Sequence, residues 1–153
     1  MRPLAFGLAA VTLIANLALQ PLLMHLAPAM LIPGLADFYP AWNRGVSFSL
    51  FTQNGQTGRI MLILVLTVLS AGLGLAAWRW STNRLSAIAY GLALGGALGN
   101  LADRLRFSGA VFDFLSLHLG SLPLFICNLP DIAISAGFVL LVAESLFARQ
   151  RAA

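Results

Sequence analysis

The chain has 153 residues, of which 59% are hydrophobic and 9% charged, against about 45–50% and about 25% in an ordinary soluble domain. With a mean hydropathy of +0.88, these values exclude a water-soluble globule and a disordered tail and point to a bilayer as the solvent. The net charge is +4 and every cation is an Arg set between apolar runs, without the basic stripe beside aromatics that nucleic-acid binding needs.

Four apolar stretches, at about residues 4–26, 60–78, 85–102 and 132–148, approach the roughly 20 residues that cross a hydrocarbon core. Backbone groups find no water in lipid, so each stretch has to be a helix. The expected fold is an all-α membrane protein, a single integral membrane domain over residues 1–153.

The first stretch contains Asn16, Gln20 and Pro21. Met1-Arg2, the apolar run and Ala27-Pro28-Ala29 imitate a cleaved secretory signal. The run exceeds the roughly 7–15 residues of a signal core, however, and Pro28 sits inside the cleavage motif, so an uncleaved helix is expected. Residues 38–54 mix aromatics, Ser and Gly, and their partial alternation from Val46 to Phe51 predicts a short strand or hairpin at the membrane surface. The second stretch carries no charge and is joined to the third by the short turn Arg79 to Arg84. The third carries Gly91, Gly95 and Gly99 beside Ala93 and Gly96, the small-residue spacing of a close helix seam. Trp42, Trp78 and Trp80 fit interfacial anchors. An even number of spans puts both termini on one side, with Arg2, Arg79, Arg84, Arg149 and Arg151 there against Arg44, Arg59, Arg104 and Arg106 opposite. That bias favours cytoplasmic termini.

This topology gathers Asp103, Arg104, Asp113, Asp131 and the Asn43-Arg44-Gly45 segment at one membrane face, with Glu144 towards the other. Asn100, Asp103 and Arg104 are three and four residues apart and share one side of a helix end. Ionisable groups at such depth are costly and mark function. Two carboxylates held close share one proton; the ionised partner can activate water while the protonated one polarises a carbonyl. Apolar neighbours surround Asp113 and Asp131, and Asp131 opens the fourth span, where the helix dipole favours its charge. Asp113 is then the expected proton holder. Plainer roles stand beside this one: a helix cap at Asp131, a loop acid at Asp113, an Asp103–Arg104 ion pair. A Cys127–His118 thiol dyad and a metal site on Asp103, Asp113, His118 and Asp131 lack the local signatures such sites carry. No metal and no cofactor is expected. The lone Cys127 cannot form an intramolecular disulfide, and His25 and His118 read as interfacial polar residues.

Four segments together carry a family resemblance. Asn43-Arg44-Gly45-Val46-Ser47-Phe48-Ser49, Gly95-Gly96-Ala97-Leu98-Gly99-Asn100-Leu101-Ala102-Asp103-Arg104, Gly109-Ala110-Val111-Phe112-Asp113-Phe114 and Cys127-Asn128-Leu129-Pro130-Asp131 resemble, in order and spacing, the lipoprotein signal peptidases (signal peptidase II). The resemblance implies four transmembrane helices with a small extracytoplasmic β-cradle around residues 43–51, in the bacterial inner membrane, with both termini cytoplasmic and the active site near the outer face. It implies an intramembrane aspartic endopeptidase that removes the signal peptide from prolipoproteins just before a diacylglyceryl-modified cysteine. Asp113 and Asp131 match the catalytic pair; Asn43, Asn100, Arg104 and Asn128 match residues that bind the substrate backbone or peptide antibiotics such as globomycin; Asp103, Gly45 and Gly99 match supporting positions. Two departures stand out. The family's first span commonly carries an Asp-Gln pair followed by Lys, where this chain reads Asn16-Leu17-Ala18-Leu19-Gln20 without a charge, and Pro130 precedes the acid that matches the second of the catalytic pair. A non-catalytic lipopeptide-binding relative and a small transporter are the alternative functions.

Overall fold

The computed structural model describes residues 1–45 and 56–152, with side chains as far as Leu146. Among them lie four helices long and apolar enough to cross a membrane: α1 (Arg2–Leu23), α2 (Gln56–Trp80), α3 (Arg84–Arg106) and α4 (Leu129–Ala152). Four strands, β1 (Ala29–Ile32), β2 (Ala36–Asn43), β3 (Val111–Leu119) and β4 (Leu122–Cys127), form one antiparallel sheet in the order β1-β2-β3-β4.

The helix ends differ from the apolar stretches in an instructive way. Pro21 sits inside the last turn of α1, which ends at Leu23 instead of reaching residue 26, with the Met24 N–H closing the final turn on the Gln20 carbonyl. In contrast, α3 continues past Ala102 to Arg106 and α4 starts at Leu129 instead of residue 132. Hydropathy stops at the first charge, but a helix goes on while its backbone bonds are made. Asp103, Arg104 and Asp131 are therefore helical residues.

Helix α3 is the centre of the bundle and packs against the other three helices. On α1 the buried residues Ala5, Ala9, Thr12, Asn16 and Gln20 form one stripe, spaced three and four apart as a single helix face requires. A β-carbon at Gly95 would lie 2.6 Å from Thr12 Cβ, and one at Gly99 would lie 2.8 Å from Pro130 Cγ of α4. The expected glycine seam is thus two seams, one for α1 and one for α4. Most of α2 and the outer face of α4 present Val65, Val68, Leu69, Leu75, Phe138 and Val139 outward, as lipid-facing helices do. At the end away from the sheet, Asn83 caps α3 in a capping box with Ser86 and its amide donates to Glu144, while the Arg2 guanidinium lies 4.5 Å above the Trp78 ring.

The sheet is built from residues 29–43 and 111–127, so the segment 103–131, read from sequence as a loop, holds a hairpin. Its signal was present: Leu115, Leu117 and Leu119 alternate with Ser116 and His118, and Gly120-Ser121 joins paired Leu119 and Leu122 as a two-residue turn. Gly120 takes φ +59° there. The stretch Val46 to Phe51, expected to form a strand or hairpin, lies outside the described residues. Strands β2 and β3 are brought together although α2 and α3 separate them in the chain, pairing Ala41 with Asp113 and Asn43 with Val111.

Candidate active site

Four elements meet where the sheet sits on the bundle: the end of β2, the start of β3, and the facing ends of α3 and α4. Side chains alternate across a strand, so pairing of Ala41 with Asp113 puts Asn43 and Asp113 on the same face as diagonal neighbours. The Asn43 amide donates to Asp113 Oδ2 at 3.0 Å. Its own oxygen accepts from the Gly45 N–H at 3.0 Å, which fixes which way the amide points.

Asn128 caps α4. Its Oδ1 accepts from the Asp131 N–H at 2.8 Å, the usual bond of an Asn cap, so Asp131 is the third residue of the helix and not its cap. Pro130 falls in that first turn, where a missing amide costs nothing, and is buried against Gly99. The Asn128 amide then donates to Asp113 Oδ1 at 2.6 Å and to Asn100 Oδ1 at 3.3 Å. Asn100 in turn donates to Asp131 Oδ1 at 2.8 Å. The result is a closed ring through Asn128, Asn100 and Asp131, with Asp113 attached to it through Asn128. Every amide orientation follows from a neighbour of fixed polarity, so the network directs donors at both carboxylates.

Asp113 is 3% exposed. Burial pushes its carboxyl up to about 6, with the charge of Asp131 adding to the rise and the amides of Asn43 and Asn128 opposing it. The two acids share a cavity of about 710 Å³ lined both by polar groups, among them Asn43, Asn100, Arg104 and Asn128, and by apolar side chains, among them Leu66, Phe125 and Ile134. A mostly apolar lining with a few polar groups is the combination expected of a small-ligand or peptide site.

Arg104 is buried and works on backbone. Its Nη1 donates to the Gly109 carbonyl at 2.8 Å and its Nη2 to the Gly45 carbonyl at 2.7 Å, tying the end of β2 and the α3–β3 turn to α3. Arg44, its neighbour in the sequence motif, is exposed. Trp42, expected from sequence to be an interfacial anchor, packs on Phe107 and Phe112 at centroid distances of 4.9 and 5.4 Å, stays half exposed and lines the cavity.

Asp103 does not face the other acids. Although Asn100, Asp103 and Arg104 were expected to share one side, Asp103 turns to α1, where it accepts from Asn16 at 3.2 Å and from Gln20. Side chains three and four apart lean apart when two different neighbours compete for them. It does not pair with Arg104; Asn16 and Gln20, seen in the sequence as departures, are the partners that reasoning along the chain missed. Their signal was the shared spacing with Thr12 on one face. Cys127 lines the cavity, and burial with the charges of Asp131 and Asp113 pushes its thiol up to about 11, so it stays protonated. His118 lies farther along the sheet, paired with Pro123 and 3.1 Å from Asp37. Among the described residues no three His, Cys, Asp or Glu side chains come together as a metal-binding group.

The fold is similar to that of two solved bacterial membrane enzymes. One, determined at 2.3 Å, has a TM-score of 0.81 at 18% identity, with 96% of this chain and 90% of that chain covered; the other, at 1.9 Å, has a TM-score of 0.78 at 19% identity, with 93% and 92% covered. By sequence the chain is 43% identical to a lipoprotein signal peptidase of Methylorubrum extorquens, over 97% of this chain and 91% of the relative. It is 40% identical to one of Methylobacterium sp. strain 4-46, over 99% and 94%. The family described as Signal peptidase (SPase) II matches residues 8–147, a stretch holding every residue of the cavity and of the buried α1 stripe except Ala5, and on this agreement the chain belongs to the signal peptidase II family.

Proposed function

We propose that the chain, acting as one membrane-embedded domain, is an aspartic endopeptidase that removes the signal peptide from diacylglyceryl-modified prolipoproteins, cutting before the lipidated cysteine. The observation that carries this reading is the ring of amides that directs donors onto Asp113 and Asp131 within one cavity. Asp131 takes a proton from a water as its oxygen bonds to the scissile carbonyl carbon. Asp113 gives its proton to the carbonyl oxygen, and collapse of the tetrahedral intermediate breaks the C–N bond. The proton taken up by Asp131 passes to the leaving amine, and a hydroxyl proton of the collapsing intermediate returns to Asp113, which restores the pair. The products are a signal peptide with a free carboxylate and a lipoprotein with an amino-terminal cysteine.

The other residues serve binding. Asn100 holds one oxygen of Asp131 and stands beside the reacting carbonyl, Asn43 and Asn128 keep Asp113 oriented, and Arg104 holds the main chain at Gly45 and Gly109, against which the substrate backbone lies. Globomycin, a lipopeptide, competes for the same cavity. The enzyme sits in the bacterial cytoplasmic membrane with both termini inside and the sheet at the outer face, where a lipid-anchored cleavage site arrives.

Purified protein in detergent is expected to cleave a diacylglyceryl-modified prolipoprotein and to be blocked by globomycin, while Asp113→Asn and Asp131→Asn insert normally and do not cleave. Cleavage at the normal rate by either variant overturns the catalytic pair; wild-type protein that binds the substrate and never cuts overturns the enzyme.

A further inference from the structure

The polar stripe of α1 takes no part in the proteolysis described above, yet it is costly. Asn16 is 2% exposed, Gln20 1% and Asp103 0%, and amides or acids at such depth persist only where their bonds are made. Here the donors converge on one group. The Asn16 amide donates to Asp103 Oδ1 at 3.2 Å and the Gln20 amide to Asp103 Oδ2. Gln20 is in turn held by Arg106, whose Nη1 donates to Gln20 Oε1 at 3.3 Å. The same Asp103 carboxylate meets the main-chain N–H of Phe112, the residue before Asp113. One carboxylate thus joins α1, α3 and β3 next to the proton-holding acid.

We propose that Asn16 and Gln20 are positioning residues for cleavage: through Asp103 they set β3 against α3 and so hold Asp113 opposite Asp131. The proposal rests on the aspartic reading of the site. Asp131 rides on α4, which packs directly on α3, whereas Asp113 rides on a strand whose other neighbours are strands. The spacing of the two acids therefore depends on what ties β3 to α3. Arg104 grips the turn between them, and Asp103 grips the strand itself. The link is made by donors from α1, so the Asp103 carboxylate needs a donor or a cation facing it there, and a second carboxylate at position 16 is tolerated only beside a cation at position 20.

The test uses the full-length protein in detergent with a diacylglyceryl-modified prolipoprotein, measuring kcat, KM, the pH dependence of kcat and the melting temperature for each variant. Gln20→Leu is expected to lower kcat about tenfold with KM little changed and the pH profile displaced, because Asp113 is no longer held in one setting. Gln20→Lys, which keeps a donor on Asp103, is expected to retain kcat. Asn16→Asp sets a second carboxylate against Asp103 and should lower kcat, and combining it with Gln20→Lys should restore it. Normal kcat in both Gln20→Leu and Asn16→Asp, with Asp113→Asn inactive beside them, overturns the positioning role and leaves the catalytic pair standing. Normal cleavage by Asp113→Asn overturns the aspartic reading itself. If Gln20→Leu does not fold, Asn16→Asp with and without Gln20→Lys decides, and a folded double variant without recovered kcat counts against the proposal.

Discussion

Asn128 does two jobs with one side chain, and the two can be separated. Its oxygen caps α4 while its amide donates to Asp113 and Asn100. Asp caps a helix about as well as Asn but has no donor. Asn128→Asp keeps a capping oxygen but sets a buried carboxylate against Asp113 Oδ1, so it should lose cleavage by about 100-fold and melt below the wild type as pH rises, whereas Asn128→Ala should lose the same activity together with about 1 kcal/mol of stability from the missing cap and no such pH dependence. Side-by-side thermal melts and cleavage rates check both. Asp113 makes a pH prediction with a definite sign. Its carboxyl is raised from 3.8 to about 6, chiefly by burial, so the fold prefers its protonated form. The corresponding stability is full below the unfolded value and is lost as pH rises through about 6. Melting temperatures between pH 4 and 7 should fall with pH in the wild type more steeply than in Asp113→Asn. The alkaline limb of kcat/KM should lie near 6 as well, and that of kcat higher, because bound substrate removes more water from the acid.

The elements differ sharply in what they tolerate. A β-carbon at Gly95 would lie 2.6 Å from Thr12 Cβ and 2.8 Å from the Ala9 carbonyl oxygen, whereas one at Gly72 on α2 meets nothing within 4 Å. Gly95→Ala should therefore cost about 1–3 kcal/mol as α1 and α3 are forced apart, and Gly72→Ala should be neutral or gain up to about 1 kcal/mol of helix propensity; unfolding in graded denaturing detergent measures the pair. The turn after α3 holds Ser108 at φ 54°, a left-handed conformation that costs a non-glycine residue roughly 1–2 kcal/mol. Ser108→Gly should raise the melting temperature, since this turn also carries the Gly109 carbonyl that Arg104 holds. Helix existence was legible in each apolar stretch because hydrophobic length is a local property. The hairpin at 111–127 was legible in its alternation and Gly-Ser turn but was overshadowed by the polar residues it carries. Helix ends were not legible, since hydropathy ends where charges begin and hydrogen bonding does not.

At the scale of the molecule, the sheet, the cavity and the facing ends of α3 and α4 occupy one end of the bundle, and the Asn83–Glu144 contact occupies the other. If the chain is oriented as proposed, with the cavity outside and the termini inside, a thiol probe applied to intact cells should label Ser121→Cys in the β3–β4 turn and leave Thr82→Cys between α2 and α3 unlabelled. The reverse pattern would invert the orientation. Sequence alone determined the number of spans and the family, and singled out the two acids that the structure places in one cavity, because each is written in local composition or in short motifs whose order survives without knowledge of contacts. Only the tertiary structure decided what those residues touch. Asp103 and Arg104 are neighbours in the chain and part company in space, one turning to the amides of α1 and the other to the carbonyls of two turns. The uncharged stretch from Asn16 to Gln20 looked like the loss of a supporting acid, and its two amides are the partners of a buried one. Asp113 meets Asn43 only because β2 and β3 pair across two intervening helices. Such choices are made by competition among neighbours distant in sequence, each buried group going to whichever partner satisfies it in the absence of water.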